Sequence, residues 1–148
     1  MARSLRDIAA ELAFELSLLE EEFDGDADAA GDAVDFNPGP DNGGQFHSAV
    51  ARCLVLGGTE NDTVTIELEH SDDDSTGFEA IEDRNGDEFT TTLTADEGGE
   101  AAGRIDLTNA EIKRYVRAVA TDDSTLDTNA DVIVDIIKGG ATNPPVND

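Results

Sequence analysis

Tryptophan is absent from this chain, tyrosine occurs once, and aromatic residues make up 5% of it. A carbohydrate-binding or cell-surface adhesion module that works through exposed aromatic platforms is therefore poorly supplied, and it stands only as the alternative function. Cys53 is the one cysteine, so no intrachain disulfide can form. It lies in an apolar run, the setting of a buried inert thiol and not of a nucleophile. Lysine occurs only as Lys113 and Lys138, within nine cations in all. Phosphate contacts need a basic patch, so nucleic acid is disfavoured as a partner. No apolar run approaches a membrane span. Asp7, Glu11 and Glu15 interrupt anything like a signal-peptide core after Arg3 and Arg6, so the expectation is a soluble protein, not Sec-exported and without a membrane partner. Histidine is limited to His47 and His70, in different strand candidates with no third ligand at metal spacing, and no metal or other cofactor is expected.

What the chain has in excess is acid. Thirty-five Asp and Glu face nine cations, for a net charge of -26 over 148 residues. Such a charge suggests disorder. Against that, 38% of the residues are hydrophobic, and they fall into patterned runs. One domain is the natural count, able to bury roughly 70% of its unfolded surface. The acid is spread along the whole chain. A folded, acidic, Lys-poor protein suits multimolar salt, where a Debye length of about 3 Å screens self-repulsion and the charge keeps the chain soluble. Halophilic origin is preferred over an acidic nucleic-acid mimic or a partner for a basic protein, because a mimic concentrates its charge on one face.

The stretch Thr63 to Ile81 sets the pattern for the rest. Val64, Ile66 and Leu68 alternate with Thr65, Glu67 and Glu69, which predicts a half-buried strand. The acidic turn Ser71 to Gly77 follows, and Phe78 opens an answering run, a hairpin-like unit. Earlier in the chain, Leu5, Ile8, Leu12, Leu16 and Leu19 recur at helical spacing, while Phe14, Leu16 and Leu18 alternate as in a strand. A helical or extended arm to about Glu11, then a strand over Ala13 to Leu19, fits both patterns. Glu20 to Asp32 reads as a solvated acidic loop. Its Asp24, Asp26, Asp28 and Asp32 have calcium-loop-like spacing, but Ala29 and Asp35 stand where such a loop needs Gly and Glu.

Further strands are predicted at Val34 to Phe36, Phe46 to Leu56, Phe89 to Thr94, Ile105 to Leu107, Tyr115 to Ala120 and Val132 to Ile137. Phe46 to Leu56 is apolar on both faces from Ala49 onward except at Arg52, as in a central strand. Ala95 to Gly103 and Thr121 to Asp131 read as loops. Thr108 and Glu111 suit the cap of one helical turn. The sum is an all-β domain, an antiparallel β-sandwich of jelly-roll type with about eight strands. It occupies residues 13–138, between an N-terminal arm or short helix (1–12) and a C-terminal tail (139–148).

No catalytic constellation stands out. His70, Ser71 and Asp72 are adjacent on a strand and point to opposite faces, so they make a poor relay. No Gly pair is followed by the Lys-Ser/Thr and helix of a phosphate loop. The chain is therefore not expected to be an enzyme, a small hydrolase being disfavoured for want of a convergent site. Lys113, Arg114 and Arg117 form the one cationic cluster, read either as local pairing with nearby carboxylates or as an anchor at an acidic protein interface.

Four stretches together carry a resemblance: Val34-Asp35-Phe36, then Val64 to Asp73 (VTIELEHSDD), then Phe78-Glu79, then Lys113 to Arg117 (KRYVR), before a β-rich ending. Their order resembles the capsid cement, or decoration, proteins of tailed viruses, which pair a strand like "TVELQTSDD" with a later "RYLR"-like one. The resemblance covers roughly residues 33 to 137. The acidic insert Glu20 to Asp32 and the Ala/Leu-rich N-terminal segment depart from the pattern. The resemblance implies a non-enzymatic jelly-roll virion protein that binds the outer surface of an assembled capsid. It implies the major capsid protein as partner and a homo-oligomer, a trimer, that bridges capsomers. With the halophilic composition, the source implied is a tailed virus of haloarchaea, with assembly in the host cytoplasm. Arg3, Arg6, Arg114 and Arg117 are the candidate capsid or subunit contacts.

Overall fold

The computed structural model describes residues 13–39, 46, 48–107, 110–121 and 129–139, with side chains from Glu15 onward. Ten strands are found among the described residues, and no helix: β1 (Ala13–Phe23), β2 (Ala29–Ala30), β3 (Val34–Asp35), β4 (Ser48–Leu56), β5 (Thr63–Ser71), β6 (Glu79–Ala80), β7 (Thr90–Thr94), β8 (Ala101–Leu107), β9 (Tyr115–Thr121) and β10 (Ala130–Gly139). They form two antiparallel sheets. The first has the order β1-β10-β4-β8; in the second, β9 and β5 are central, with β2 and β3 on one side and β6 and β7 on the other.

Each sheet buries one face in a common core. Val64, Ile66 and Leu68 of β5 are fully buried, as their alternation predicts, together with Val132, Val134 and Ile136 of β10 in the opposite sheet. Cys53 is buried among them, and burial pushes its thiol up to about 12, the inert state predicted for it. A direct link between the sheets comes from Ser17 of β1. Its hydroxyl accepts the amide of Ala118 in β9 at 2.9 Å and donates to the carbonyl of Asp32 at 3.0 Å.

The predicted strands are present, with several differences in extent. The strand expected over Ala13 to Leu19 continues to Phe23, whose ring is buried. The loop expected over Glu20 to Asp32 contains β2, where Ala29 and Ala30 pair with Ala120 and Val119. At Gly31 a Cβ would lie 2.2 Å from the carbonyl oxygen of Ser17, so the backbones approach too closely for a side chain. The loop expected up to Gly103 instead enters β8 at Ala101, where tertiary pairing with β4 outweighs the weak strand propensity of Ala-Ala-Gly. Residues 110–113 form no helical turn; Thr108 lies outside the described residues. Gly139 closes β10, one residue beyond the expected domain end. Ten strands stand against about eight expected; the one with no counterpart among the predicted runs is β2, and the second sheet's flanks are broken, as β2 with β3 and β6 with β7. The expected arm, residues 1–12, and the tail from residue 140 lie outside the described residues.

Two of the glycine pairs without a phosphate-loop context, Gly57-Gly58 and Gly98-Gly99, meet each other. The amide of Gly58 donates to the carbonyl of Gly99 at 3.0 Å. Gly99 has φ +75°, and a Cβ there would sit 2.1 Å from the Gly58 oxygen. Gly99 lets the β4–β5 and β7–β8 connections touch backbone to backbone.

Candidate interaction surface

The central pair β5·β9 collects the charged residues that the sequence singled out. Their register sets Glu69 beside Arg117, His70 beside Val116 and Ser71 beside Tyr115. On the other side of β9, Asp35 lies beside Tyr115 through β3. On the other side of β5, Glu79 lies beside His70 through β6. Four stretches of the chain thus meet at one end of the second sheet.

Their side chains form three separate ion pairs. Arg114 grips Asp35 with a two-point contact, Nε to Oδ1 at 3.0 Å and Nη2 to Oδ2 at 2.9 Å, and lies over the ring of Tyr115. Burial works upward on the Asp35 carboxyl. The hydrogen bonds from Arg114 and the Asn37 amide, with the charges of Arg114 and Lys138, outweigh it and hold the group below its usual range. In Arg117, Nε at 2.8 Å and Nη2 at 2.7 Å converge on Glu69 Oε2, and the guanidinium stacks 4.1 Å above the centre of the Phe78 ring. Lys113 donates to Glu79, and that bond lowers the Glu79 carboxyl.

His70 is buried beside this group. Its Nδ1 accepts the Lys113 amide at 3.2 Å, and its Nε2 lies 3.8 Å from Glu79 Oε1. Desolvation first, and the Lys113 charge second, lower its pKa against the opposing pull of Glu79 and Asp72. The ring is thus held neutral, with the proton on Nε2. Ser71 Oγ donates to the Thr76 carbonyl within the acidic turn, where Asp73 Oδ1 accepts the Ser75 amide and hydroxyl. The hydroxyl is used by the turn and has no bond to His70, so the three neighbours form no relay. Asp72, Asp73 and Asp74 are exposed at the tip. Among the described residues no group of three or more His, Cys, Asp or Glu is arranged to hold a metal ion.

Of the candidate contacts, the structure brings Arg114 and Arg117 together on this patch and places both in intramolecular pairs. Arg114 keeps about half its side chain in solvent (47%) and Arg117 about a quarter (26%). A guanidinium has five donors, so Arg114 retains some for a further acceptor. Arg3, Arg6 and His47 lie outside the described residues.

One charged residue escaped the sequence reading. Lys138 was placed at the end of the domain, but it is buried in β10. Its ammonium donates to the Asp35 carbonyl at 2.7 Å, pairs with Glu15 at 2.6 Å and lies 4.6 Å from the centre of the Phe46 ring. The available signal was period two: Val132, Val134 and Ile136 put residue 138 on the inner face.

No protein-family model matches the chain, and no curated protein gives a significant match. Among solved structures, the chain is similar to the SPBc2 prophage-derived protein YomS, with 11% identity over 88% of this chain and 94% of that one and a TM-score of 0.44.

Proposed function

We propose that the protein is a non-enzymatic virion component that binds the outer surface of a viral capsid and stabilises it by bridging capsomers in high salt. The observation that carries this reading is the convergence on the second sheet. The four stretches behind the resemblance to cement proteins span positions 34 to 117. They meet there as Asp35–Arg114, Glu69–Arg117–Phe78 and Glu79–Lys113. A set of short motifs that pair with one another at one end of a single sheet is better explained by a shared scaffold than by chance matches.

The fold assigned under this proposal is a sandwich of jelly-roll kind. The order β1-β10-β4-β8, set against β9 and β5 with their broken flanks, supports it. If each broken flank counts as one strand, every strand of the first sheet except the last, β10, is followed in the chain by a strand of the second, as in two interlocked Greek keys. The partner is the major capsid protein and the site of action is the capsid exterior. Homo-oligomers would engage several capsomers at once, so that modest contacts combine into tight binding. Residues 1–12 and the C-terminal tail would act as clamps, with Arg3, Arg6, Arg114 and Arg117 as polar anchors.

The test is occupancy on purified particles. Removal of residues 1–12 should lower it; unchanged occupancy refutes the clamp, and absence of the protein from particles refutes the function. Salt adaptation is tested separately by thermal melts, with a clearly higher midpoint expected in about 3 M than in about 0.1 M KCl.

A further inference from the structure

The outer face of the first sheet stands apart from the rest of the surface. Among the described residues, the large hydrophobic side chains left exposed are Leu16, Leu19 and Leu54, at 52, 53 and 41%. All three lie on this face. Leu19 pairs with Ile133, Ile133 with Leu54, and Leu54 with Ala102, so one continuous apolar row crosses all four strands. The next outward row is Leu16, Asp135, Arg52 and Arg104. A third carries Ile137, Val50 and Asp106.

We propose that this face is the docking surface for a second copy of the chain, related by a two-fold axis that runs along the strands between β10 and β4. Three properties of the face support that occupant. The first is self-complementarity. Such an axis sets β10 over β4 and β1 over β8, and each row over its own mate. Ile133 then meets Leu54 of the other copy, and Leu19 meets Ala102. Asp135 meets Arg52, so acid faces base in both directions. Ile133, Leu54, Asp135 and Arg52 lie nearest the axis, and they stay apposed when two twisted sheets pack at about 30°.

The second property is charge. In a chain of net charge -26, the three rows hold two arginines, Arg52 and Arg104, against two aspartates, Asp135 and Asp106. Arg52 bonds Asp135, and Arg104 lies 3.5 Å from Asp106. These three rows are electrically balanced, and Asp131 of the flanking row has Leu56 as its mate across the axis, so two copies can approach here without setting carboxylate against carboxylate.

The third is size. Four strands at about 4.8 Å spacing, with a nine-residue β4 of about 30 Å, give a flat face of the order of 570 Å² before side-chain relief. That is comparable to the roughly 800 Å² per partner of a standard interface. The sequence pattern agrees: apart from Arg52, β4 is apolar toward both sides, as in a strand covered on both faces, while the described residues cover it on one.

The inference does not depend on capsid binding, and its test needs no capsid. Light scattering of the full chain in about 3 M KCl should return twice the chain mass of 15.6 kDa. Leu54→Glu, at an exposed position, should leave the circular dichroism unchanged and return a single chain. Arg52→Asp should weaken the pair at least tenfold, and Arg52→Asp combined with Asp135→Arg should restore it, because the exchange keeps acid over base across the axis. Removal of residues 1–12 should leave the pair intact. A wild-type mass of one or three chains overturns the proposal, as does a pair indifferent to Leu54→Glu. A pair lost on removal of residues 1–12 while surviving Leu54→Glu would also overturn it.

Discussion

The two sheets share one core but turn very different outer faces to the surroundings. The first presents a row of aliphatic side chains, Leu19, Ile133, Leu54 and Ala102. The second presents Thr65 against Thr92, hydroxyl to hydroxyl at 3.0 Å, then Glu67, then the Glu69–Arg117 pair. Both inner faces are apolar for the same reason, since burial of the core drives folding. The outer faces are under no such demand. The difference between them therefore speaks to what each face meets after folding. An aliphatic face gains from contact that removes water, and an ion-paired face gains little from it because its charges must be desolvated. The first is built to be covered and the second to remain wet or to meet a polar partner.

The largest effect bearing on this comparison belongs to the end of the core where the two sheets are tied together. Lys138→Met removes the ammonium that joins Glu15 of the first sheet to the Asp35 carbonyl of the second. It should cost about 3 kcal/mol in denaturant melts, because the buried ammonium's bonds to the part-buried carbonyl and to Glu15 are both lost. A neutral result would mean that the sheets are held by apolar packing alone.

On the polar face, Arg117→Met keeps the aliphatic bulk over Phe78 and deletes the pair with Glu69. A loss of about 1–2 kcal/mol is expected in dilute buffer, shrinking in multimolar salt as the surface charges are screened. Leu54→Glu on the aliphatic face should show the opposite division, with little change in the stability of the single chain and a large change in association. Equal effects of both substitutions on stability would erase the distinction between the faces.

The smallest effect concerns Glu67, whose carboxyl is raised above 4.5 by desolvation first and then by Glu88, Glu69 and Asp28. A raised carboxyl binds its proton more tightly in the folded chain than in the unfolded one. Its contribution is favourable below the unfolded value and is lost as pH rises through the folded one. Glu67→Gln should therefore stabilise the chain at pH 7, by under about 1 kcal/mol at low salt. The gain should vanish near pH 4, a dependence read by melts at the two pH values. A gain that persists at pH 4 would assign the effect to something other than charge.

How far the sequence could be read differs from strand to strand. β5 was plain because its alternation is unbroken from Val64 to Leu68. β1 was ambiguous because Leu16 and Leu19 are three apart, a helical spacing. The structure explains the ambiguity: the register with β10 shifts between Leu16 and Leu18. With that bulge, Ser17 and Leu18 both turn inward, and Leu16 and Leu19 share the outer face. One extra residue makes a strand imitate the periodicity of a helix. β2 was hidden because two alanines carry no strand signal until β9 lies beside them.

The charged patch was half visible. The residues Lys113, Arg114 and Arg117 were evident, and local pairing was among the meanings given to them. Their partners Asp35, Glu69 and Glu79 lie 34 to 79 positions away. In a chain with 35 carboxylates, spacing alone cannot choose among them.

What the sequence by itself determined is the class of the molecule: short alternating runs that can be satisfied only by paired strands, and an acid excess that calls for screening. Which carboxylate each cation takes, where β1 slips its register, and which apolar face is left open were decided only by the tertiary structure. The reason lies in the range of the forces. Alternation and turn chemistry act over a few residues along the chain, whereas pairing partners and uncovered faces depend on which strands become neighbours, and nothing local to a strand specifies that.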